Sequence, residues 1–270
     1  MREEIAEIVA GARAALEDAA MRGVWAEGGW TEPEVDPGKG QEGKKASRQG
    51  ERAAEVWSAI ATEAREAPVA PTAGLESVRL DLGDCRRCGL CKERKTIVFG
   101  VGDPEADLVV IGEAPGYQED QQGEPFVGPA GQMLDRMLEN VLGLKRAQVY
   151  ITNVVKCRPP KNRNPHPDEV ESCRPFLEGQ LRAIRPKVIL VLGSVAFRTL
   201  FGTDDGITRH RGIWKSYGFP ASPPGTASDG IPVLPTFHPA YLLRTPSDKR
   251  LAFEDLKVLR TRYDELGGRR

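Results

Sequence analysis

The sequence predicts an α/β fold built on a central, mainly parallel four-stranded sheet flanked by helices. Three observations predict it. Four short apolar runs recur in the later part of the chain: "DLVVIGE" (107–113), "QVYITNVV" (148–155), "KVILVLG" (187–193) and "IPVLPTFH" (231–238). Near-continuous apolar strands are those covered on both faces, as in parallel sheets. Segments of helical periodicity lie between the runs, and that alternation is the pattern of an α/β domain. Each run also ends in a polar or glycine-bearing motif: "GEAPG", "TNVVKCRPP", "LGSVA" and "FHPAY". Ligands of such sheets bind outside the carboxyl ends of the strands, so the four motifs should converge on one cleft.

The elements follow in chain order. Residues 3–21 place Ile5, Ile8, Val9, Ala12, Ala15 and Leu16 on one face at helical spacing, which makes 1–27 an N-terminal helical extension. Residues 28–74 read as a largely disordered linker. Its first part, 28–50, is rich in Gly, Glu, Lys and Pro and buries too little surface to offset chain entropy. A modest helix is expected over 51–66, and "APVAPTAG" returns to linker composition. The main domain spans 75–266. Within it, "AGQMLDRMLENVLG" aligns Met133, Leu134, Met137, Leu138 and Val141, with Gly143 as a stop. "PDEVESCRPFLEGQLRAI" opens on Pro167, Asp168 and Glu169, a favourable first turn. "SVAFRTLFG" offers Ser194 as an N-cap and ends at Gly202.

Composition narrows the classes of function. Of 270 residues, 40% are hydrophobic and 29% charged, as in a water-soluble globular chain. No apolar run approaches the ~20 residues that span a bilayer. The start, "MREEIAEIVAGARAAL", lacks the apolar core of a secretory signal, so a cytoplasmic location is expected, with no membrane partner. The net charge of −1 divides unevenly, −5 over residues 1–74 and +4 over 75–270. The mildly basic part could meet nucleic acid; the acidic part suits a solubilising or protein-binding extension. "GxxxxGKS" does not occur, which argues against a nucleoside-triphosphate loop.

Five cysteines stand at 85, 88, 91, 157 and 173. In a reducing compartment they point to metal or redox chemistry rather than disulfides. Cys85 and Cys88 form a C-x-x-C pair; Cys157 follows the second strand and Cys173 lies on the next helix. Four thiolates around one point suit zinc or an iron–sulfur cluster, and spacing alone does not choose between these or buried, unligated thiols. Lys156, Arg158, Lys161, Arg163 and Arg174 surround the second pair, where cations could face an anionic cluster or a phosphate backbone.

Taken together, "GEAPGYQEDQQGEPFVGPAG", "YITNVVKCRPPKNRNP", "LGSVA", "ITRHRG" and "HPAYLL" resemble, in the same order, the family 4 uracil-DNA glycosylases. The resemblance covers about residues 80–265 and leaves 1–74 outside. It implies the three-layer uracil-glycosylase fold and a four-iron, four-sulfur cluster on Cys85, Cys88, Cys157 and Cys173, with Cys91 outside the ligand set. It implies monofunctional hydrolysis of the bond between uracil and deoxyribose in flipped-out nucleotides, leaving an abasic site. His238 would donate to uracil O2 as negative charge grows there. Asn153, able to donate and accept, would read the O4 and N3 edge, which cytosine presents in reverse. Phe126 would stack on the base.

The resemblance also assigns the loop after the first strand. Gly112 and Pro115 fix a tight turn that brings backbone N–H groups to the base. Ala114 stands where the best-known uracil glycosylases carry a water-activating aspartate, which leaves Glu113 as the nearest carboxylate. Glu119 is expected to line the pocket near uracil C5, and Asp120 to fix the loop. Leu242 and Leu243 could wedge into the duplex, and Arg244, Arg209, Arg211, Lys156 and Arg158 could hold the DNA backbone. His166 is expected to be non-nucleophilic, because the basic insert of the related branch that uses such a histidine is missing. No candidate lysine for a Schiff base appears, so lyase chemistry is not expected. Competing readings are a glycosylase for another deaminated base, a non-catalytic cluster- or zinc-bearing nucleic-acid binder, and an electron-transfer protein. The expected partner is uracil-containing DNA, single- or double-stranded, met by a monomer.

Overall fold

The computed structural model of this chain describes residues 71–218 and 230–269. The expected helices over 3–21 and 51–66 and the linker between them lie outside the described residues. The four apolar runs become strands β2 (Leu108–Gly112), β3 (Tyr150–Asn153), β4 (Val188–Leu192) and β6 (Ile231–Thr236). They are mutually parallel. β2, β3 and β4 are buried along their whole length, as the absence of alternation required.

The expected count of four strands is corrected to six. Two short edge strands run antiparallel, β1 (Val101–Gly102) on β3 and β5 (Lys215–Tyr217) on β6. The order across the sheet is β1-β3-β2-β4-β6-β5. The chain leaves β2 for β3 on one side and returns to β4 on the other. The strand order therefore reverses at β2, and the crevice at such a switch point is where these sheets bind ligands. Register aligns the strand ends there: Gly112 lies opposite Asn153, and Leu192 opposite Thr236.

Helices cover the sheet: α1 (Pro71–Leu82), α2 (Tyr117–Gln122), α3 (Pro129–Met137), α4 (Pro167–Ile184), α5 (Ser194–Phe201), α6 (Pro239–Arg244) and α7 (Lys249–Glu265). α1 begins four residues inside the expected linker, with Pro71 in its first turn, where a missing N–H costs nothing. It packs on α4 at close range, because a Cβ on Gly179 would meet Val78 Cγ2 at 2.9 Å. The stripe beginning at Met133 follows α3 into a π-helical turn over Leu138–Leu142, closed by Gly143 in the left-handed conformation. α4 has the expected boundaries, its first turn closed by the Glu169 carboxylate accepting from the His166 N–H at 2.8 Å. At α5 the N-cap is Gly193, not Ser194. Its φ of +87° suits glycine, and a Cβ there would sit 2.9 Å from His238 Cβ.

Among the described residues, no helix is long and apolar enough to cross a membrane.

Candidate active site

A cleft of about 360 Å³ opens at the carboxyl end of the sheet. It is lined by Glu113, Ala114, Pro115 and Gly116 after β2, by Pro159, Asn162, Arg163 and Asn164 after β3, and by His238, Ala240, Tyr241 and Arg244 after β6. Three of the four strand-end motifs therefore meet. The fourth, at Gly193, supports the cleft from beneath by letting His238 pack closely.

At Gly112, which precedes Glu113 in the chain, Asn153 and Phe126 converge in a narrow slot. A Cβ placed on Gly112 would lie 2.5 Å from both Asn153 Oδ1 and Phe126 Cζ. Asn153 is 2% exposed, and its Oδ1 is the buried side-chain polar atom without a hydrogen-bond partner among the described residues. A buried acceptor left unpaired costs about 1–3 kcal/mol, so it marks a place where a donor is to arrive. Phe126 forms the opposite wall. Its φ of +55° lies in the left-handed region that a bulky residue rarely adopts. Gly131 makes this turn feasible, since any Cβ there would run into the Phe126 carbonyl. Strain held at one aromatic beside an orphaned amide is characteristic of a binding site.

His238 completes the slot, stacked on Phe126 at 5.6 Å between ring centroids. It caps α6, its Nδ1 accepting from the Ala240 N–H at 3.1 Å. An accepting Nδ1 places the proton of the neutral ring on Nε2, which becomes a fixed donor. Burial first, then the charge of Arg244, lowers the His238 pKa to about 4, against a smaller opposing effect of Glu119. The ring is therefore neutral at physiological pH. Burial likewise raises Glu113 above the usual carboxylate range.

Glu119 does not line the cleft as a pocket wall. Its Oε1 accepts from the N–H groups of Val127 and Gly128, both at 3.1 Å, and its Oε2 from Gly116 at 3.0 Å. The carboxylate staples the loop after β2 to the turn that carries Phe126. Glu119→Ala would leave three N–H groups without an acceptor. It is expected to lower stability by about 2–4 kcal/mol, measured by denaturant unfolding. Asp120, 2% exposed, holds the loop before β1 rather than the loop after β2, accepting from the N–H groups of Lys95 and Thr96.

Three expected DNA contacts are corrected. Lys156 is fully buried, and its Nζ donates to Thr152 Oγ1, the Asn153 carbonyl and Gln180 Oε1. Arg211 is bound to buried Asp255, which also accepts from Thr236 Oγ1 at 2.6 Å. That network braces the end of β6, two residues before His238. Leu242 is 1% exposed and packs in the core, whereas Leu243 is 40% exposed. Arg209 and Arg244 remain exposed. Arg158 is half-buried, donating to Asn162 Oδ1 at 2.7 Å and lying over the exposed ring of Tyr117. Sequence reading missed the wall formed by Pro159, Asn162 and Asn164. Its shape depends on Lys161 and Asn162, both at positive φ, and no residue pattern announced that.

Cys85, Cys88, Cys157 and Cys173 line one small cavity together with Arg94, Lys156 and Phe176; Cys91 does not line it. Burial pushes the Cys157 thiol up to about 12, against the opposing charge of Arg94, whose Nη1 lies 3.5 Å from its sulfur. Burial raises Cys88 and Cys173 as well. Lys156 is lowered to about 8 by burial, with Cys173 and Cys157 acting in the opposite sense.

Comparison with known proteins agrees with this geometry. The family model of the uracil DNA glycosylase superfamily matches residues 99–257, which include the slot and the cleft. The type-4 uracil-DNA glycosylase of Sulfurisphaera tokodaii is 42% identical over 69% of this chain and 83% of its own length. That of Archaeoglobus fulgidus is 42% identical over 68% and 91%. That of Saccharolobus solfataricus is 39% identical over 69% and 85%. The type-5 enzyme of Pyrobaculum aerophilum is less similar, 31% identical over 62% and 75%. With the slot assembled from the strand ends that these matches span, the chain belongs to the type-4 uracil-DNA glycosylases.

Proposed function

We propose that this protein removes uracil from DNA by hydrolysing its N-glycosidic bond, leaving an abasic site for repair and cutting no strand. The observation that carries the reading is the orphaned Asn153 Oδ1 facing across Gly112 to Phe126 and His238. Uracil N3–H is the donor this acceptor lacks, and the Asn153 amide N–H can donate to O4. Cytosine has no hydrogen on N3 and would leave the same oxygen unpaired in a dry site, a strong basis for rejection. Phe126 supplies a stacking face for a base taken out of the helix. As the bond lengthens, charge gathers on the leaving base, and His238 Nε2–H donates to O2 without prior protonation of the ring. Glu113 is the carboxylate in the cleft suited to orient the attacking water, and its raised pKa makes it a better proton acceptor. Arg244, with Arg158 and Arg209, is placed to meet the backbone.

The same reading places a four-iron, four-sulfur cluster on Cys85, Cys88, Cys157 and Cys173. The donor set fits: four cysteines line one cavity, and burial raises Cys88, Cys157 and Cys173, which disfavours their thiolates unless cations face them. No three Cys, His, Asp or Glu side chains among the described residues gather as a single metal ion requires. When bound, the cluster supplies a cross-link and a fixed negative charge, and hydrolysis needs no electron from it.

The test is release of uracil from an end-labelled oligonucleotide holding one uracil, resolved with and without alkali. Cleavage only after alkali is expected. No cleavage by protein carrying its full complement of iron would overturn the reading. Cys173→Ser is expected to lower bound iron and visible absorbance together, which metal analysis would check.

A further inference from the structure

We propose that Lys156 is a positioning residue for uracil recognition, tying the cysteine cavity to the peptide unit that carries Asn153. The inference rests on the uracil reading above. A lysine in the middle of "NVVKC" reads as surface charge, yet its side chain is fully buried. A buried ammonium is costly unless every proton is bonded and a countercharge is near. Here its three protons meet three acceptors, each at 2.7 Å: Thr152 Oγ1, the Asn153 carbonyl and Gln180 Oε1. None is a carboxylate. Cys157 and Cys173 line the same small cavity as the lysine, and as thiolates they would face it with the opposite charge.

The acceptors are themselves locked. Thr152 Oγ1 donates to the Phe99 carbonyl at 3.1 Å. Gln180 Nε2 donates to the same carbonyl at 2.8 Å and to the Tyr150 hydroxyl oxygen at 3.1 Å, which leaves Oε1 aimed at the lysine. The ammonium thus has one geometry, set by β3, by α4 and by the loop before β1. One of its bonds ends on the backbone of the residue whose side chain bears the unpartnered acceptor.

Asn153 is the last residue of β3, where the ladder no longer holds the chain on its far side. The lysine three residues later turns back and holds its carbonyl. Rotation of that peptide would swing Oδ1 out of line with an incoming N3–H, and recognition by one amide tolerates little misplacement. Thiolates holding a cluster would face the ammonium with negative charge and keep it in place. The cysteine cavity would then serve base selection through Lys156, with no contact to the base.

The test uses the full chain loaded with its cluster and compares Lys156→Met with the parent. The readout is binding, by titration, to oligonucleotides holding 2′-fluoro-2′-deoxyuridine or 2′-fluoro-2′-deoxycytidine, in which the fluorine suppresses cleavage. The uracil-over-cytosine preference is expected to fall by about tenfold or more, as for loss of a recognition geometry. Affinity for abasic DNA and iron per chain should stay the same. An unchanged preference at full iron content would overturn the inference. Should Lys156→Met fail to hold iron, Gln180→Met decides in its place, removing one acceptor of the ammonium from α4. A drop of about threefold is then expected, and an unchanged preference overturns the inference. A parent protein without preference for uracil would instead overturn the proposed function.

Discussion

His238→Ala should lower kcat by about 10²–10³-fold while leaving affinity for uracil-containing DNA nearly unchanged. The argument is geometric. The ring is held by the Ala240 N–H on Nδ1, by packing against Gly193 and by its stack on Phe126. Its free donor, Nε2–H, is spent on a charge that exists only as the base departs, so its loss appears in kcat and not in binding. Single-turnover rates and binding of the uncleavable 2′-fluoro analogue separate the two quantities.

The same residue sets two pH profiles. A histidine acting as a charged acid would lose activity as pH rises past its pKa. Here the neutral ring is the donor, so its contribution to the rate should stay flat between about pH 5.5 and 8 and fall toward pH 4. Protonation at Nδ1 would also break the bond to Ala240. For stability, the folded pKa lies below the ordinary value of 6.5, at about 4. Between those values the unfolded chain takes up a proton that the folded chain refuses. Stability contributed at neutral pH is therefore lost as pH falls from about 6.5 to 4, by at most about 3 kcal/mol. His238→Ala should remove that part of the slope, measured by denaturant unfolding across the interval.

What could be read from the sequence, and what could not, follows from where each residue's partner lies. The parallel strands were legible because burial on both faces leaves an unbroken apolar run. β1 and β5 were not, being two and three residues long, with most of their residues only partly buried. α4 announced itself through Pro167, Asp168 and Glu169, local signals that need no tertiary knowledge. The leucines of α6 did not, because a six-residue helix carries too little periodicity to say which of Leu242 and Leu243 turns inward. Charge misled for a related reason. Lys156 and Arg211 look solvated in sequence, and their compensating partners, Gln180 and Asp255, lie 24 and 44 residues away. Glu119 was expected in the pocket wall, yet its carboxylate serves three backbone groups, and only the folded loop supplies those. Asn153, Phe126 and His238, which come together at Gly112, were singled out through the motifs that resemble family 4, since a lone phenylalanine in sequence is as readily a core residue.

Gly112→Ala should abolish uracil release while the protein still folds and still binds abasic DNA. Gly112 shows no positive φ, so alanine is compatible with its backbone, and the reason for glycine must lie in what surrounds it. The added methyl would stand 2.5 Å from Asn153 Oδ1 and 2.5 Å from Phe126 Cζ, well inside contact distance of both walls. Either wall could yield only at a cost. Asn153 is held through its carbonyl by Lys156, and Phe126 sits in a strained turn closed over Gly131. Overpacking of this kind destabilises by about 1–3 kcal/mol, which a domain of this size survives. The base is affected far more, because the methyl pushes on both the ring that would stack on it and the amide that would read its edge. A loss of about 10³-fold or more in kcat/KM is expected, against a change of about threefold or less in affinity for DNA holding an abasic site, where no base needs to enter. Comparable weakening for both DNAs would mean that the glycine shapes the general DNA-binding face and that the base binds elsewhere in the cleft.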